Sequence, residues 1–272
     1  MRRMILIPTL RRVSSLRFAE PMKQVMLMIE TVSGLLGKDE KPLLSSFPRD
    51  IERIITFALQ VPVLKQRQLT ISTVTQFLCA IRGNPIEILP SADRKLHGLL
   101  YVGPPCSLIF INATLPAHIQ AYIMAHELGH LLADVFLVQE LWLKSLPQRE
   151  EAVRKYFVWE NVDSDPWLEL RAFLKGLPLR PRTIVGRDTA FIPETTEREI
   201  IADLFARELL TPWSKLEPVY RANNKRTFSE IARSGFHLPL RVAANYYDDF
   251  DLSLGRKPDI FDRLHSRLNT KI

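Results

Sequence analysis

The stretch PAHIQAYIMAHELGHLLADVFLVQE, residues 116–140, decides the fold. It predicts a long helix that begins at Pro116 and continues through Glu140, and in its middle lies the motif His126-Glu127-Leu-Gly-His130. Residues four apart lie one above the other on the same helical face. The two imidazoles can therefore point at a single metal ion.

The motif has the chemistry of a zinc site. Zinc accepts neutral imidazole nitrogens and leaves a fourth position open for water. Glu127 is too near in sequence to share the direction of the two ligands, but it can reach a metal-bound water and take its proton. Buried in the apolar run Ile119–Leu137, these polar side chains are costly without a partner, which a metal ion supplies. The competing interpretation is a chance pattern on a core helix.

A catalytic zinc needs a third protein ligand. One class of site uses a histidine six residues after the second one, and that position is Phe136 here, which excludes the class. The other class takes a glutamate from a second helix, and Glu199 is the best candidate. Asp203, four residues later on the same face, is expected to accept a hydrogen bond from a ligand histidine and fix its tautomer. Rival third ligands are Glu140, Glu194 and Glu197.

The order of elements predicts an α+β fold. Short apolar runs separated by turn residues predict a small, mainly antiparallel sheet of strands at Ile86–Leu89, Leu99–Val102 and Leu108–Asn112. The sheet is expected to pack on the motif helix and on a second helix that runs from Thr195 or Thr196 to Leu210. The N-terminal and C-terminal parts are predicted to be helical.

The remaining helices and the domain limits follow from periodicity and from proline and glycine positions. Helices are predicted at Met22–Leu36, after Pro48 and Asp50, and at Thr70–Ile81, Thr227–Ala232 and Leu238–Tyr247. We expect a loosely ordered leader over residues 1–45 and a metallopeptidase-like domain over 46–215, with an insertion at about 144–193. A helical subdomain is expected over 216–272.

Composition indicates a globular protein of the cytoplasm. Hydrophobic residues make up 46% and charged residues 25% of the 272 positions, and no run approaches the roughly 20 apolar residues that span a bilayer. The two cysteines form no C-x-x-C pair, which favours reduced thiols in the cytosol. Arginines before Glu20 imitate a transit peptide, but we interpret them as an untargeted leader, whose true start is Met1, Met4 or Met22.

The motif and a second segment together resemble a known family. His126-Glu-Leu-Gly-His130, followed by Glu199-Ile-Ile-Ala-Asp-Leu-Phe-Ala-Arg-Glu-Leu-Leu-Thr-Pro212, resembles the ImmA/IrrE metallopeptidases over roughly residues 86–212. The resemblance implies zinc ligation by His126, His130 and Glu199, with Glu127 as the base. It also implies a protein or peptide substrate, typically a regulatory protein such as a transcriptional repressor.

The chain departs from the family pattern in one place. The gap between His130 and Glu199 is longer than in the family, so Lys144–Pro193 is interpreted as an insertion. It is expected to act as a lid, as a docking surface for a partner, or as a packed structural elaboration.

The expected reaction is zinc-assisted hydrolysis of a peptide bond. The strand Leu108–Asn112 is expected to offer its edge to an extended peptide. An oxyanion donor is also expected. Its candidates are His118, Tyr122, Tyr246 and Tyr247.

Two other functions compete with hydrolysis. A DNA-binding regulator is suggested by helix–turn–helix spacing over Thr227–Tyr247, with Arg233, His237 and Arg241 nearby, but the net charge of +7 forms no long basic block. Acidic residues at the end of the second helix oppose that interpretation because they would repel phosphate: Asp248, Asp249 and Asp251. A metal-binding interaction protein without hydrolytic activity is the third hypothesis, and the intact Glu127 argues against it.

Overall fold

A computed structural model describes residues 16–82, 95–102, 107–137, 184–185 and 193–253 of the chain. Its architecture is α+β, as predicted, with helices packed around one small sheet. The predicted strand at 86–89 and nearly all of the segment 144–193 lie outside the described residues. No helix among the residues described is both long and apolar enough to cross a bilayer.

The sheet is mixed and has the strand order β1-β3-β2-β4. Its strands are β1 (Val63–Gln66), β2 (Gly98–Tyr101), β3 (Leu108–Asn112) and β4 (Ile184–Val185). The pairs β2–β3 and β2–β4 are antiparallel, whereas β1 pairs with β3 in parallel. The sequence predicted β2 and β3 to within a residue at each end but missed β1, which adds the parallel edge.

The two faces of the sheet are covered by different helices. Leu100, Ile109 and Ile111 belong to the main core, which includes the motif helix α5 (Ala117–Leu131). The alternate residues of the strands face a second cluster with Leu69 and α4 (Ile71–Arg82): Leu99, Tyr101, Leu108 and Phe110. Because β3 is covered on both sides, it is apolar at successive positions, and no polar-out alternation marks it.

The helix α5 is buried over its whole C-terminal part. Every residue from Tyr122 to Leu131 is buried, which is the pattern of a helix enclosed by other elements. The helical backbone then continues as a π-helical turn, Leu132–Phe136, in which the Leu137 N–H bonds to the carbonyl of Leu132. The predicted helix is therefore present up to Leu137, with a change of register that the sequence did not indicate.

The second helix of the site, α6 (Pro193–Leu210), packs directly along α5. Gly129 lies at their closest approach, because a Cβ atom built on it would stand only 3.0 Å from Ala202 Cα and 3.1 Å from a ring carbon of Phe205. The small residues Gly129 and Ala202 thus let the two helices press together. The prediction of a helix ending at Leu210 is confirmed.

The N-terminal helices are α1 (Leu16–Leu35), α2 (Pro42–Ser45) and α3 (Ile51–Leu59). The apolar face of α1 is fully buried in the main core, with Val25, Met28 and Val32 all at 0% exposure, and α1 contacts α6. This part of the expected leader is therefore an integral part of the fold. The helix predicted after Pro48 is α3, capped by Asp50, whose side chain accepts a hydrogen bond from the Arg53 N–H.

The C-terminal helices are α7 (Trp213–Ala222), α8 (Lys225–Phe236) and α9 (Leu240–Ser253). The two helices predicted from Thr227 and Leu238 correspond to α8 and α9, which are longer than expected. An aromatic cluster joins the three helices, in which Phe250 stacks on both Trp213 and Tyr220. This cluster is continuous with the main core, so the C-terminal helices are packed on the same centre as α5 and α6.

Candidate metal centre

His126 and His130 occupy one face of α5, one turn apart, and face α6. Both side chains are buried, and their Nε2 atoms lie 3.1 Å from each other. The spacing predicted from the motif therefore places the two imidazole nitrogens around one point, in the interior of the protein.

Glu199, on α6, supplies the third potential ligand. Its Oε2 lies 3.3 Å from His126 Nε2, and its Oε1 lies 3.3 Å from His130 Nε2. The donor atoms of these three residues all lie within 4.8 Å of one another, so the group is able to hold a metal ion. Glu140 and the side chains of Glu194 and Glu197 lie outside the described residues.

The three side chains form a strongly coupled charge cluster. Burial opposes protonation of His130, but Asp134 and Glu199 outweigh it and raise the pKa of this imidazole to about 10. Burial likewise opposes ionisation of Glu199, but hydrogen bonds and charge from the two histidines lower the pKa of this carboxyl to about 2. The pKa of His126 is raised despite burial, through Asp203 and Glu199. The carboxylates of the cluster therefore stabilise a positive charge at the imidazole nitrogens, and either bound protons or a metal cation can supply that charge.

Asp203 lies where the sequence predicted a partner for a ligand histidine. Its Oδ1 stands 2.8 Å from His126 Nδ1, and the Tyr122 hydroxyl donates to the same oxygen at 2.8 Å. A proton on Nδ1 that is donated to this carboxylate leaves Nε2 with a free lone pair directed at the centre. Tyr122 was one of the oxyanion candidates, but its hydroxyl holds Asp203 instead.

Sequence reasoning missed a second carboxylate, Asp134. It lies in the π-helical turn, 3% exposed, with its Oδ2 3.5 Å from His130 Nδ1. Its other oxygen, Oδ1, accepts a hydrogen bond from Arg198 at 2.5 Å. An acidic residue within an apolar run, four positions after the second histidine, was the signal in the sequence that could have revealed it.

Glu127 lies on the sheet side of α5 and is 1% exposed. A Cβ atom on Gly98 of β2 would stand 3.3 Å from Glu127 Oε1 and would overlap the side chain of Ile123. Because Gly98 has no Cβ atom, the Glu127 carboxylate can lie against the backbone of β2. The negative charge of Glu127 also contributes to the raised pKa of His130.

The structure does not support most of the predicted substrate contacts, namely the free edge of the strand Leu108–Asn112 and the oxyanion role of the tyrosines. The strand Leu108–Asn112 does not offer an edge, because β1 and β2 pair with its two sides, so that prediction is wrong. The hydroxyl of Tyr246 contacts Glu208 and the carbonyl of Thr211, and that of Tyr247 lies 3.5 Å from the carbonyl of Asn223. These contacts direct the Tyr246 hydroxyl to the C-terminal end of α6 and the Tyr247 hydroxyl to the C-terminal end of α7, and they do not support an oxyanion role. His118, in the first turn of α5, stays a prediction.

The acidic residues near the end of α9 are not all surface charges, although the sequence had suggested this. Asp249 is buried and forms an ion pair with Arg207 of α6, so it is a core residue and does not add to the surface charge. Asp248 pairs with Lys225 at 2.8 Å. Arg233, His237 and Arg241 lie on or beside α8 and α9, and a nucleic-acid role for them stays a prediction.

Comparison of the chain with protein-family models, with curated proteins and with solved structures gave no match. The resemblance to the ImmA/IrrE metallopeptidases therefore depends on the two motifs alone. Within the described residues, both motifs lie on helices that meet at the candidate metal centre.

Proposed function

We propose that this chain is a zinc-dependent endopeptidase of the cytoplasm, in which His126, His130 and Glu199 hold the metal and Glu127 is the general base. The observation that carries the proposal is the spacing of the three donor groups. Ligands about 2.0–2.1 Å from a tetrahedral zinc stand roughly 3.3–3.4 Å apart. The two Nε2 atoms lie 3.1 Å apart, and each lies 3.3 Å from one oxygen of Glu199, Oε2 for His126 and Oε1 for His130, which supports a zinc ion held between the two imidazoles and the carboxylate.

The donor set also favours zinc over other cations. Two neutral imidazole nitrogens and one carboxylate are suited to zinc, whereas calcium and magnesium prefer oxygen ligands alone. A set of three protein ligands leaves a fourth position, which is the mark of a catalytic site and distinguishes it from a closed structural one.

The residues around the centre have different roles in the proposed hydrolysis of a peptide bond. A zinc ion bound by these residues would act as a Lewis acid toward the scissile carbonyl and would lower the pKa of the attacking water. Glu127 takes the proton of that water and later gives it to the leaving amine nitrogen. Asp203 holds His126 in the tautomer that a metal ligand needs, and Tyr122 fixes Asp203.

The substrate class follows from the family resemblance. We propose a protein substrate, and specifically a regulatory protein such as a transcriptional repressor. Gly98 of β2 lies beside the Glu127 carboxylate, and among the described residues β4 pairs with β2 at Leu100 and Tyr101 and leaves Gly98 beyond this pairing. The segment around Gly98 is therefore a better candidate than β3 for contact with an extended peptide.

Substitution of Glu127 by glutamine tests the proposed reaction. The change keeps the shape of the side chain but removes the base, so cleavage of a peptide library by the zinc-loaded protein should fall by about 10²–10⁴-fold. The zinc content should stay unchanged. Glu230→Gln, an exposed position on α8, is the matched control and should cleave like the wild type. Equal cleavage by wild type and Glu127→Gln would reject Glu127 as the base, and no cleavage by the zinc-loaded wild type would reject a peptidase.

The alternative is a DNA-binding or metal-binding regulatory protein without proteolytic activity. It predicts that Glu127→Gln has no effect on partner levels. A DNA-binding role additionally predicts a salt-dependent mobility shift that Arg241→Ala abolishes, and the absence of any shift at low salt would remove that role.

A further inference from the structure

A buried carboxylate stands behind the second histidine of the centre and is not explained by the ligand set. Asp134 Oδ2 and His130 Nδ1 lie 3.5 Å apart, and among the described residues neither atom has a hydrogen bond. A buried donor or acceptor that stays unsatisfied destabilises the fold, because it has lost its hydrogen bonds to water without gaining a partner. The two atoms face each other at a distance that a small movement would close.

The backbone delivers Asp134 to this position. The π-helical turn Leu132–Phe136 follows directly after the ligand helix, and Asp134 lies at its middle. Turns of this kind are rare in helices and occur frequently at functional sites. The register change therefore coincides with the acidic residue that approaches His130 from its own helix.

The guanidinium of Arg198, on α6, holds the other oxygen of the Asp134 carboxylate. Arg198 Nη1 donates to Asp134 Oδ1 at 2.5 Å, and the side chains are 17% and 4% exposed, respectively. Arg198 immediately precedes Glu199 in α6. The pair thus joins α6 to the turn after α5 beside the third potential ligand, and it leaves Oδ2 of Asp134 directed at His130.

We propose that Asp134 is the positioning residue of His130 and that Arg198 acts through Asp134, an inference that rests on the proposed zinc function. A histidine that binds a metal through Nε2 carries its proton on Nδ1 and donates it to a partner. Asp203 is that partner for His126, and Asp134 Oδ2 is the acceptor within reach of His130. Each ligand histidine then has a carboxylate of its own, one from each helix.

Zinc affinity tests the inference on the full chain. Metal-free wild type, Asp134→Asn and Asp203→Asn are titrated with zinc alone in competition with a chromophoric chelator. Both variants should bind zinc about 10- to 100-fold more weakly, the usual loss when such a partner is removed. Asp248→Asn is the matched control, because it breaks the Lys225 ion pair on α8 and α9 without touching the centre. It should bind zinc like the wild type.

A double variant tests the order of action. If Arg198 works through Asp134, Arg198→Gln weakens zinc binding less than Asp134→Asn does, and adding it to Asp134→Asn causes no further loss. The absorption spectrum of the cobalt-substituted protein should also change in Asp134→Asn, because the orientation of a ligand ring is altered. A merely structural role predicts something else: a lower free energy of unfolding of the metal-free variant, with the zinc affinity and the cobalt spectrum of its folded form unchanged.

The outcomes separate this inference from the function beneath it. Wild-type zinc affinity in both Asp134→Asn and Arg198→Gln, alongside zinc binding and Glu127-dependent cleavage by the wild type, overturns the role of Asp134 alone. Failure of the wild type to bind zinc overturns both proposals. Arg198→Gln keeps the test decisive if Asp134→Asn does not fold, because Arg198 lies at the partly exposed end of the chain of contacts.

Discussion

Replacing Gly129 with alanine places a methyl group at the point where α5 and α6 are closest. The new Cβ would lie 3.0 Å from Ala202 Cα and 3.2 Å from the Ala202 carbonyl oxygen. Carbon atoms in contact normally stand about 3.5–4.0 Å apart. Because the main obstacle is backbone, it cannot rotate away, and the helices must separate by roughly 0.5 Å to reach ordinary contact.

This separation should affect the metal centre more than the fold. Overpacking of a well-filled core costs about 1–3 kcal/mol, while alanine regains up to ~1 kcal/mol of helix propensity. Metal–ligand distances in contrast tolerate only about 0.2 Å. A shift of Glu199 away from His126 and His130 should therefore lower zinc affinity clearly, with a modest fall in the free energy of unfolding.

Chelator competition for zinc and urea unfolding of the metal-free protein measure the two effects. Gly235→Ala is the matched control, because Gly235 lies in α8 and nothing stands within 4 Å of the place its new methyl group would take. It should leave zinc affinity unchanged and should raise stability by at most about 1 kcal/mol. If Gly129→Ala behaves like Gly235→Ala in both assays, the close packing of α5 on α6 does not position the ligands.

Further predictions concern pH and charge. The pKa of His130 is raised to about 10, so its protonated form stabilises the metal-free fold fully below the unfolded pKa of about 6.5 and loses that effect as pH rises through 10. The free energy of unfolding of the metal-free protein, measured in urea, should therefore fall between these pH values; a flat profile would contradict the charge cluster. Asp249→Ala leaves the buried guanidinium of Arg207 without its ion-pair partner and should destabilise the protein by about 3–5 kcal/mol in the same assay. Reversal by the double change Arg207→Met with Asp249→Ala would support this cause, and a loss below about 1 kcal/mol would contradict it.

The centre was accessible from the sequence because its geometry is local within each helix. Four-residue spacing fixes His126 relative to His130, and likewise Glu199 relative to Asp203, whatever the rest of the chain does. The meeting of the two helices is not local, and the small residues Gly129 and Ala202 at their close approach permit it. Asp134 was missed because an α-helical pattern gives no sign of a π-helical turn, and without that turn the sequence does not show that this acidic residue within the apolar run faces His130.

The strand β1 was missed for a different reason. Val63–Gln66 is short and ends in Lys65 and Gln66, so neither its length nor its polarity indicates a sheet edge. Its partner is β3, more than forty positions later, and parallel pairing of this kind leaves no turn signal in the sequence. The burial of α1 was also not predictable from local sequence, because only the tertiary packing of Met28 and its neighbours shows that this helix belongs to the core.

Zinc content tests the central claim most directly. Wild-type protein and His126→Ala are purified in parallel and analysed by elemental mass spectrometry, with folding of both confirmed by circular dichroism. The donor triangle of His126, His130 and Glu199 predicts about one zinc per wild-type chain and almost none in the variant, because two ligands do not retain the ion. Equal zinc in the two proteins, or none in the wild type after reconstitution, would contradict a metal centre at this position.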